Sequence, residues 1–163
     1  MIAVIMGVSG CGKTTLGERC AEKLRIGYFE ADGFHPGVNI KKMRSGVPLN
    51  DDDRWPWLQL IKDKIMACQT AGESAVFSCS ALKESYRRFL QDGLSEPVNW
   101  VYLRGSFETI YERLESRQGH YQKSDMLQSQ FEALEEPDYG IILEIDMPLD
   151  EKVKTLSDTL KKL

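Results

Sequence analysis

The stretch Gly7-Val8-Ser9-Gly10-Cys11-Gly12-Lys13-Thr14 constrains the chain more than any other, because it satisfies G-x-x-x-x-G-K-[ST] in full. Its flanks are those the pattern requires. Ahead of it, Ile2-Ala3-Val4-Ile5-Met6 is a short uninterrupted apolar run, the mark of a strand buried on both faces of a parallel sheet. Behind it, Leu16, Cys20 and Leu24 recur at four-residue spacing among Glu18, Arg19, Glu22 and Lys23, which predicts an amphipathic helix. Strand, glycine-rich turn and helix N-terminus in that order make an anion cradle. Glycine permits the backbone conformations that turn successive N–H groups inward, and the helix adds its positive end. Lys13 supplies a point charge for the β and γ phosphates of ATP, and Thr14 a hydroxyl for Mg²⁺. The nucleotide set expected from the motif is Gly7, Val8, Ser9, Gly10, Cys11, Gly12, Lys13, Thr14 and Thr15. Cys11 stands beside Lys13 at a helix N-terminus and is read as an incidental spacer in the loop rather than a redox switch.

Further strands are expected at Gly27–Ala31, Ser74–Cys79, Val98–Leu103 and Ile141–Ile145, each separated from the last by helical pattern or polar loop. Helices are expected from Asp51 towards Ala67, along the apolar stripe Phe107, Ile110, Tyr111 and Leu114, and from Leu149 to Leu163. This alternation predicts an α/β fold with a five-stranded parallel sheet flanked by helices. At 163 residues and 42% hydrophobic composition, one domain over 1–163 has enough apolar material for its own core.

The charge balance removes some classes of function. Lys plus Arg total 21 against 25 for Asp plus Glu, giving −4 with no block of like charge, which argues against a nucleic-acid partner. The longest apolar run, Met1–Met6, is too short to cross a bilayer and has no basic segment before it, so neither membrane nor secretion is expected. Cys11, Cys20, Cys68 and Cys79 form no C-x-x-C pair and suit the reduced thiols of a cytoplasmic protein.

GTP-reading switch proteins need N-K-x-D, which is absent, and motor ATPases are much longer chains, so a small-metabolite or nucleotide kinase remains. Asp32 falls at the carboxyl end of the second strand, the edge where open α/β sheets bind ligands. There it can orient or deprotonate an attacking hydroxyl and share the Mg²⁺ hydration shell; the plainer reading is a turn-forming Asp before Gly33. Lys83 and Arg87 lie four apart on a helix just past the third strand, which is equally a ligand face or a solvated basic face with Arg88. Asp51, Asp52 and Asp53 are adequately explained as helix-start residues, whereas Arg54 opposes the helix dipole and asks for another role. Arg113 and Arg117 lie four apart at the margin of the apolar stripe Phe107, Ile110, Tyr111 and Leu114 and lead into Gln118-Gly119-His120-Tyr121, as expected of a closing lid over about 117–130. Their alternative role is pairing with nearby glutamates. Two histidines, His35 and His120, without carboxylates at zincin-type spacing do not make a zinc site.

The chain resembles the gluconokinases over nearly its whole length. The resemblance rests on the loop Gly7–Thr15, on Asp32-x-x-His35-Pro36-x-x-Asn39-x-x-Lys42-Met43 and on Pro48-Leu49-x-Asp51-x-Asp53-Arg54-x-Pro56-Trp57-Leu58. Cys79-Ser80-Ala81-Leu82-Lys83, Tyr86-Arg87, Arg117-x-Gly119-His120 and Gln130-Phe131-x-x-Leu134-Glu135-x-Pro137 complete it. A shikimate-type kinase, the nearest rival, would lack Asp53-Arg54-Trp55-Pro56-Trp57 and Ser80-Ala81-Leu82-Lys83; a nucleotide-binding module without catalysis fits less well still. The resemblance implies the fold of nucleoside-monophosphate kinases with a mobile lid, phosphorylation of D-gluconate by ATP with Mg²⁺, and a homodimer. It implies Lys13, Asp32, Arg113 and Arg117 as catalytic, and Asp32, His35, Arg54, Lys83, Arg87 and His120 as substrate-binding. Arg113 also serves ATP, and Thr14 and Asp32 serve Mg²⁺ through water.

Overall fold

A computed structural model of the chain describes residues 1–118 and 122–163, and the side chains of all of these except 117, 118 and 122–124. β1 (Ile2–Met6) lies at the centre of one parallel sheet, between β3 (Ala75–Ser78) and β4 (Val98–Arg104). β2 (Gly27–Glu30) extends it beyond β3 and β5 (Ile141–Glu144) beyond β4, so the order is β2-β3-β1-β4-β5 and every pairing is parallel. All five residues of β1 are buried, which is why its sequence carries no alternation.

The pleat divides the core in two. Ile2, Val4 and Met6 join Phe77, Trp100 and Tyr102 beneath α3 (Asp51–Thr70) and α4 (Glu84–Gln91). Ala3 and Ile5 join Val76, Val101 and Leu103 beneath α1 (Lys13–Leu24), α5 (Phe107–Gln118) and α7 (Leu149–Leu160). With helices on both faces, the ligand-binding crevice falls at the carboxyl edge beside β1, where strand order reverses.

Three details differ from the expectation. β2 ends at Glu30 rather than Ala31, because Ala31–Phe34 winds into a turn of 3-10 helix. The buried Trp57 of α3 donates its indole N–H to the Ala31 carbonyl at 2.8 Å and pins that turn. α2 (Gly37–Arg44) was not expected: its Val38, Ile40 and Met43 are all exposed, so it has no buried stripe for periodicity to reveal. α6 (Gln122–Ala133) occupies most of the segment read as a polar lid.

Gly140 turns the chain into β5 with φ +81°, and a Cβ there would meet the main-chain oxygen of Trp100 at 2.6 Å. Gly46 has a similar φ of +75° with nothing within 4 Å. Gly46→Ala therefore loses only the left-handed penalty of about 1–2 kcal/mol, whereas Gly140→Ala adds displacement of the β4–β5 ladder. Thermal unfolding of both variants is expected to place Gly140→Ala clearly below Gly46→Ala; equal melting temperatures would contradict this account.

Candidate active site

The phosphate loop closes on itself through Lys13, whose ammonium donates to the carbonyls of Gly7 at 2.9 Å and Val8 at 2.8 Å. Gly10 and Gly12 take φ of +79° and +99°, which turn their peptides as an anion cradle needs. Gly12 is the N-cap of α1 and offers no side-chain acceptor, so the first-turn N–H groups of Lys13, Thr14 and Thr15 are left for an anion. Cys11 is a fully buried thiol inside the loop, beneath Gly7.

Beside the loop, the Thr14 hydroxyl donates to Glu30 Oε2 at 2.7 Å, and the Tyr28 hydroxyl donates to the same oxygen at 2.8 Å. Tyr28 and Glu30 share a face of β2, and Tyr28 also meets Ser78 Oγ at 2.7 Å across the β2–β3 pair. Burial pushes the Tyr28 hydroxyl up to about 12, so it stays a donor to Glu30. Asp32 is exposed in the 3-10 turn two residues on. Thr14, Glu30 and Asp32 thus bring hard oxygen donors to the sheet edge next to the phosphate loop, the ligand type that suits Mg²⁺. Glu30 was missed in the sequence; its only signal is a carboxylate ending an apolar strand at the ligand-binding edge.

The second half of the crevice is a charge cluster on the first turns of α3. Asp51 accepts from Lys83 Nζ at 3.0 and 3.1 Å and from the Tyr86 hydroxyl, and lies 3.6 Å from the Arg54 guanidinium. Arg54 also donates to the Tyr86 hydroxyl at 3.2 Å. The hydrogen bonds from Tyr86 and Lys83 hold the Asp51 carboxyl below its ordinary range, and the bond to Asp51 raises Lys83. Two cations face one carboxylate, so the cluster is net positive. Asp51, read as a helix-start residue, does not cap the helix: Asn50 is the N-cap and forms a reciprocal box with Asp53. The Asn50-x-x-Asp53 spacing carried that information.

His35 follows the 3-10 turn and stacks on Trp57 at 4.4 Å and 13°, with its Nδ1 3.3 Å from the Asn39 amide. Burial holds His35 below its ordinary value against the opposing charge of Asp32, and the charge of Arg54 acts in the same direction as burial. Trp57 therefore walls the site from behind. Asp51, Arg54 and Trp57, spaced three apart on α3, present one face to it.

Arg87 is placed differently from the expectation. Its side chain is 2% exposed and its N–H groups donate to the carbonyls of Ala81, Leu82 and Glu135 and to the Glu84 carboxylate, with Tyr139 alongside. It fastens the frame of the site, and Lys83 alone of the pair faces the crevice. Arg113 donates to the Ile145 carbonyl at 3.1 Å and to Asp146 at 3.2 Å, beyond the end of β5. The side chain of Arg117 and the whole of His120 lie outside the described residues.

The family profile described as an AAA domain matches residues 4–136. The chain is 42% identical to the thermoresistant gluconokinase of Escherichia coli K12 over 99% of its own length and 94% of that protein's. It is 43% identical to the gluconokinase of Gluconobacter oxydans 621H, covering 82% of this chain and 75% of that one. The crystal structure of a gluconokinase from Sinorhizobium meliloti 1021 superposes with a TM-score of 0.84 at 39% identity, over 98% of this chain and 94% of that one. With identity of this extent along nearly all of its sequence, and with the AAA domain at its base, the chain belongs to the gluconokinase family.

Proposed function

We propose that the chain transfers the γ-phosphoryl group of ATP to the 6-hydroxyl of D-gluconate, giving 6-phospho-D-gluconate and ADP. The observation that carries this is the net-positive Arg54–Asp51–Lys83 cluster on the same sheet edge as the phosphate loop, in a chain of gluconokinase sequence. A carboxylate-bearing polyol needs a cationic anchor for its acid and short polar groups along its hydroxyls. Lys83 and Arg54 serve the acid; His35 and Asn39 serve hydroxyls.

Lys13 and the N–H groups from Gly10 to Thr15 hold the β and γ phosphates. Asp32 takes the proton of the attacking hydroxyl as its oxygen bonds to the γ phosphorus, and the bond to the ADP oxygen breaks in line. Arg113, and Arg117 on the segment 117–130 that closes as a lid, offset the charge spread over the transferring group. By resemblance to the family, His120 serves gluconate. Thr14, with Glu30 and Asp32 through water, would hold Mg²⁺, which would supply charge neutralisation at the phosphates. Resemblance to the family supports a homodimer, and four buried free thiols suit a cytoplasmic setting. Among the described residues no helix is long and apolar enough to cross a membrane.

Asp32→Asn is expected to lower kcat by about 10² or more while leaving ATP affinity intact; unchanged turnover would remove Asp32 from the mechanism. Lys83→Met should raise KM for gluconate roughly tenfold or more, with KM for ATP unaltered. Arg87→Met should instead lower the melting temperature, by on the order of 10 °C, because its partners lose a buried cation. A Lys83 variant that loses stability and keeps its KM would exchange these roles.

His35 gives a pH signature. Its folded pKa lies below the ordinary 6.5, so the unfolded chain binds the proton more readily. Stability is then complete above 6.5 and falls as pH drops towards the folded value. Between about pH 7 and pH 5, the wild type should lose more melting temperature than His35→Gln; parallel curves would show that His35 is not held neutral.

A further inference from the structure

We propose that Gln130 of α6 is a positioning residue for phosphoryl transfer, clamping Ser9 in the middle of the phosphate loop. The Ser9 N–H donates to Gln130 Oε1 at 2.6 Å, and Gln130 Nε2 donates to Ser9 Oγ at 3.0 Å. Two bonds between one pair of residues fix the plane of the carboxamide and the orientation of the Ser9 peptide together, where a single bond would leave both free to rotate.

A phosphate loop ordinarily reserves its N–H groups for anion oxygens. Here the Ser9 N–H is committed to a neutral side chain, so the inward-facing set begins at Gly10. Gln130 thereby selects which peptides of the loop address the phosphates. Besides the two Lys13 bonds, the loop is braced from the segment just after β3 and from within: Gly7 N–H to the Ser80 carbonyl at 3.3 Å, and Cys11 N–H to the Val8 carbonyl at 3.4 Å. Gln130 brings in α6, the helix that follows residues 119–121.

The clamp is itself held. Leu127 is fully buried, Phe131 packs edge-on against Phe107 at 5.6 Å, and the Glu135 N–H donates to the Leu82 carbonyl at 2.9 Å. Arg87 grips the Glu135 carbonyl at 2.8 Å. The carboxamide therefore meets Ser9 from the anchored carboxyl end of the segment proposed to close, and a displacement of α6 is felt at the loop. Errors of about 1 Å in the placement of a reacting group cost up to about 10²-fold in rate.

The inference rests on the kinase reading above, and the test separates the two. In the full chain, Gln130→Leu, Gln130→Glu, Ser9→Ala and the Ser9→Ala/Gln130→Leu double variant are compared by gluconate-phosphorylation kinetics, by ATP calorimetry without acceptor, and by thermal unfolding. Gln130→Leu should lose roughly tenfold or more in kcat/KM for ATP while KM for gluconate stays within about twofold. The double variant should be no worse than Gln130→Leu. Gln130→Glu, whose carboxylate can still accept from the Ser9 N–H and hydroxyl, should keep its melting temperature but bind ATP more weakly, because it sets a negative charge at the loop. A Gln130→Leu enzyme that loses only melting temperature, or a Gln130→Glu enzyme with wild-type ATP affinity, overturns the proposal. A wild type that binds ATP and phosphorylates no gluconate removes the kinase reading alone, and the calorimetry still decides the role of Gln130.

Discussion

The buried guanidinium of Arg87 is the interaction on which the geometry of the site depends. It ties α4 to the bend at Ala81 and Leu82 after β3, and ties both to the chain at Glu135 after α6. A charge in such a place is tolerable only when its donors are satisfied, and here three carbonyls and the Glu84 carboxylate meet them. The bend needs the help: Ala81 has φ +39°, a conformation that side chains disfavour. Once the bend is fixed, Ser80 can accept from Gly7 and brace the phosphate loop, and Lys83 emerges at the start of α4 facing Asp51. One cation thus sets the distance between the phosphate loop and the Arg54–Asp51–Lys83 cluster.

The two halves solve opposite electrostatic problems. The phosphate half offers neutral dipoles and one ammonium, with the Glu30 carboxylate held next to Thr14 as an oxygen donor. The half at the start of α3 places Arg54 and Lys83 around a single carboxylate that keeps both side chains in place. Without Asp51 the two cations would repel each other and lose the hydrogen bonds that orient them.

What the sequence made legible was what local pattern controls. β1, the glycine-rich loop and α1 are contiguous, so spacing alone located them. Arg54 stood out because a cation in a first helical turn is electrostatically out of place, and it does point into the crevice cluster. Arg87 lies deeper than its spacing suggested for a general reason: a separation of four from Lys83 tells that two residues share a side of a helix, not how deep each lies. Lys83 is the N-cap, outside the helix proper, while Arg87 is a full turn further in. Asp51 was obscured by its neighbours, since three consecutive carboxylates at a helix start look alike until Asn50 is seen to pair with Asp53. Glu30 and Gln130 act through partners 16 and 121 residues away, a separation that no window along the chain can read.

The presence of Asp51 also bears on which acceptor the crevice prefers. With Asp51 ionised at neutral pH, the cluster carries one net positive charge from two cations and one carboxylate. A neutral polyol entering it would displace water from that charge and return nothing of equal strength. A monoanionic sugar acid neutralises it while using the N–H donors of Arg54 and Lys83 that Asp51 leaves over. Were Asp51 absent, two unbalanced cations would favour dianions such as phosphate esters, the class to which the reaction product belongs. On the proposed assignment of the substrate's acid to Arg54 and Lys83, selection of a sugar acid over both a sugar and a sugar phosphate follows from the ratio of cations to carboxylate, and that ratio depends on a residue whose own charge is repulsive to the substrate.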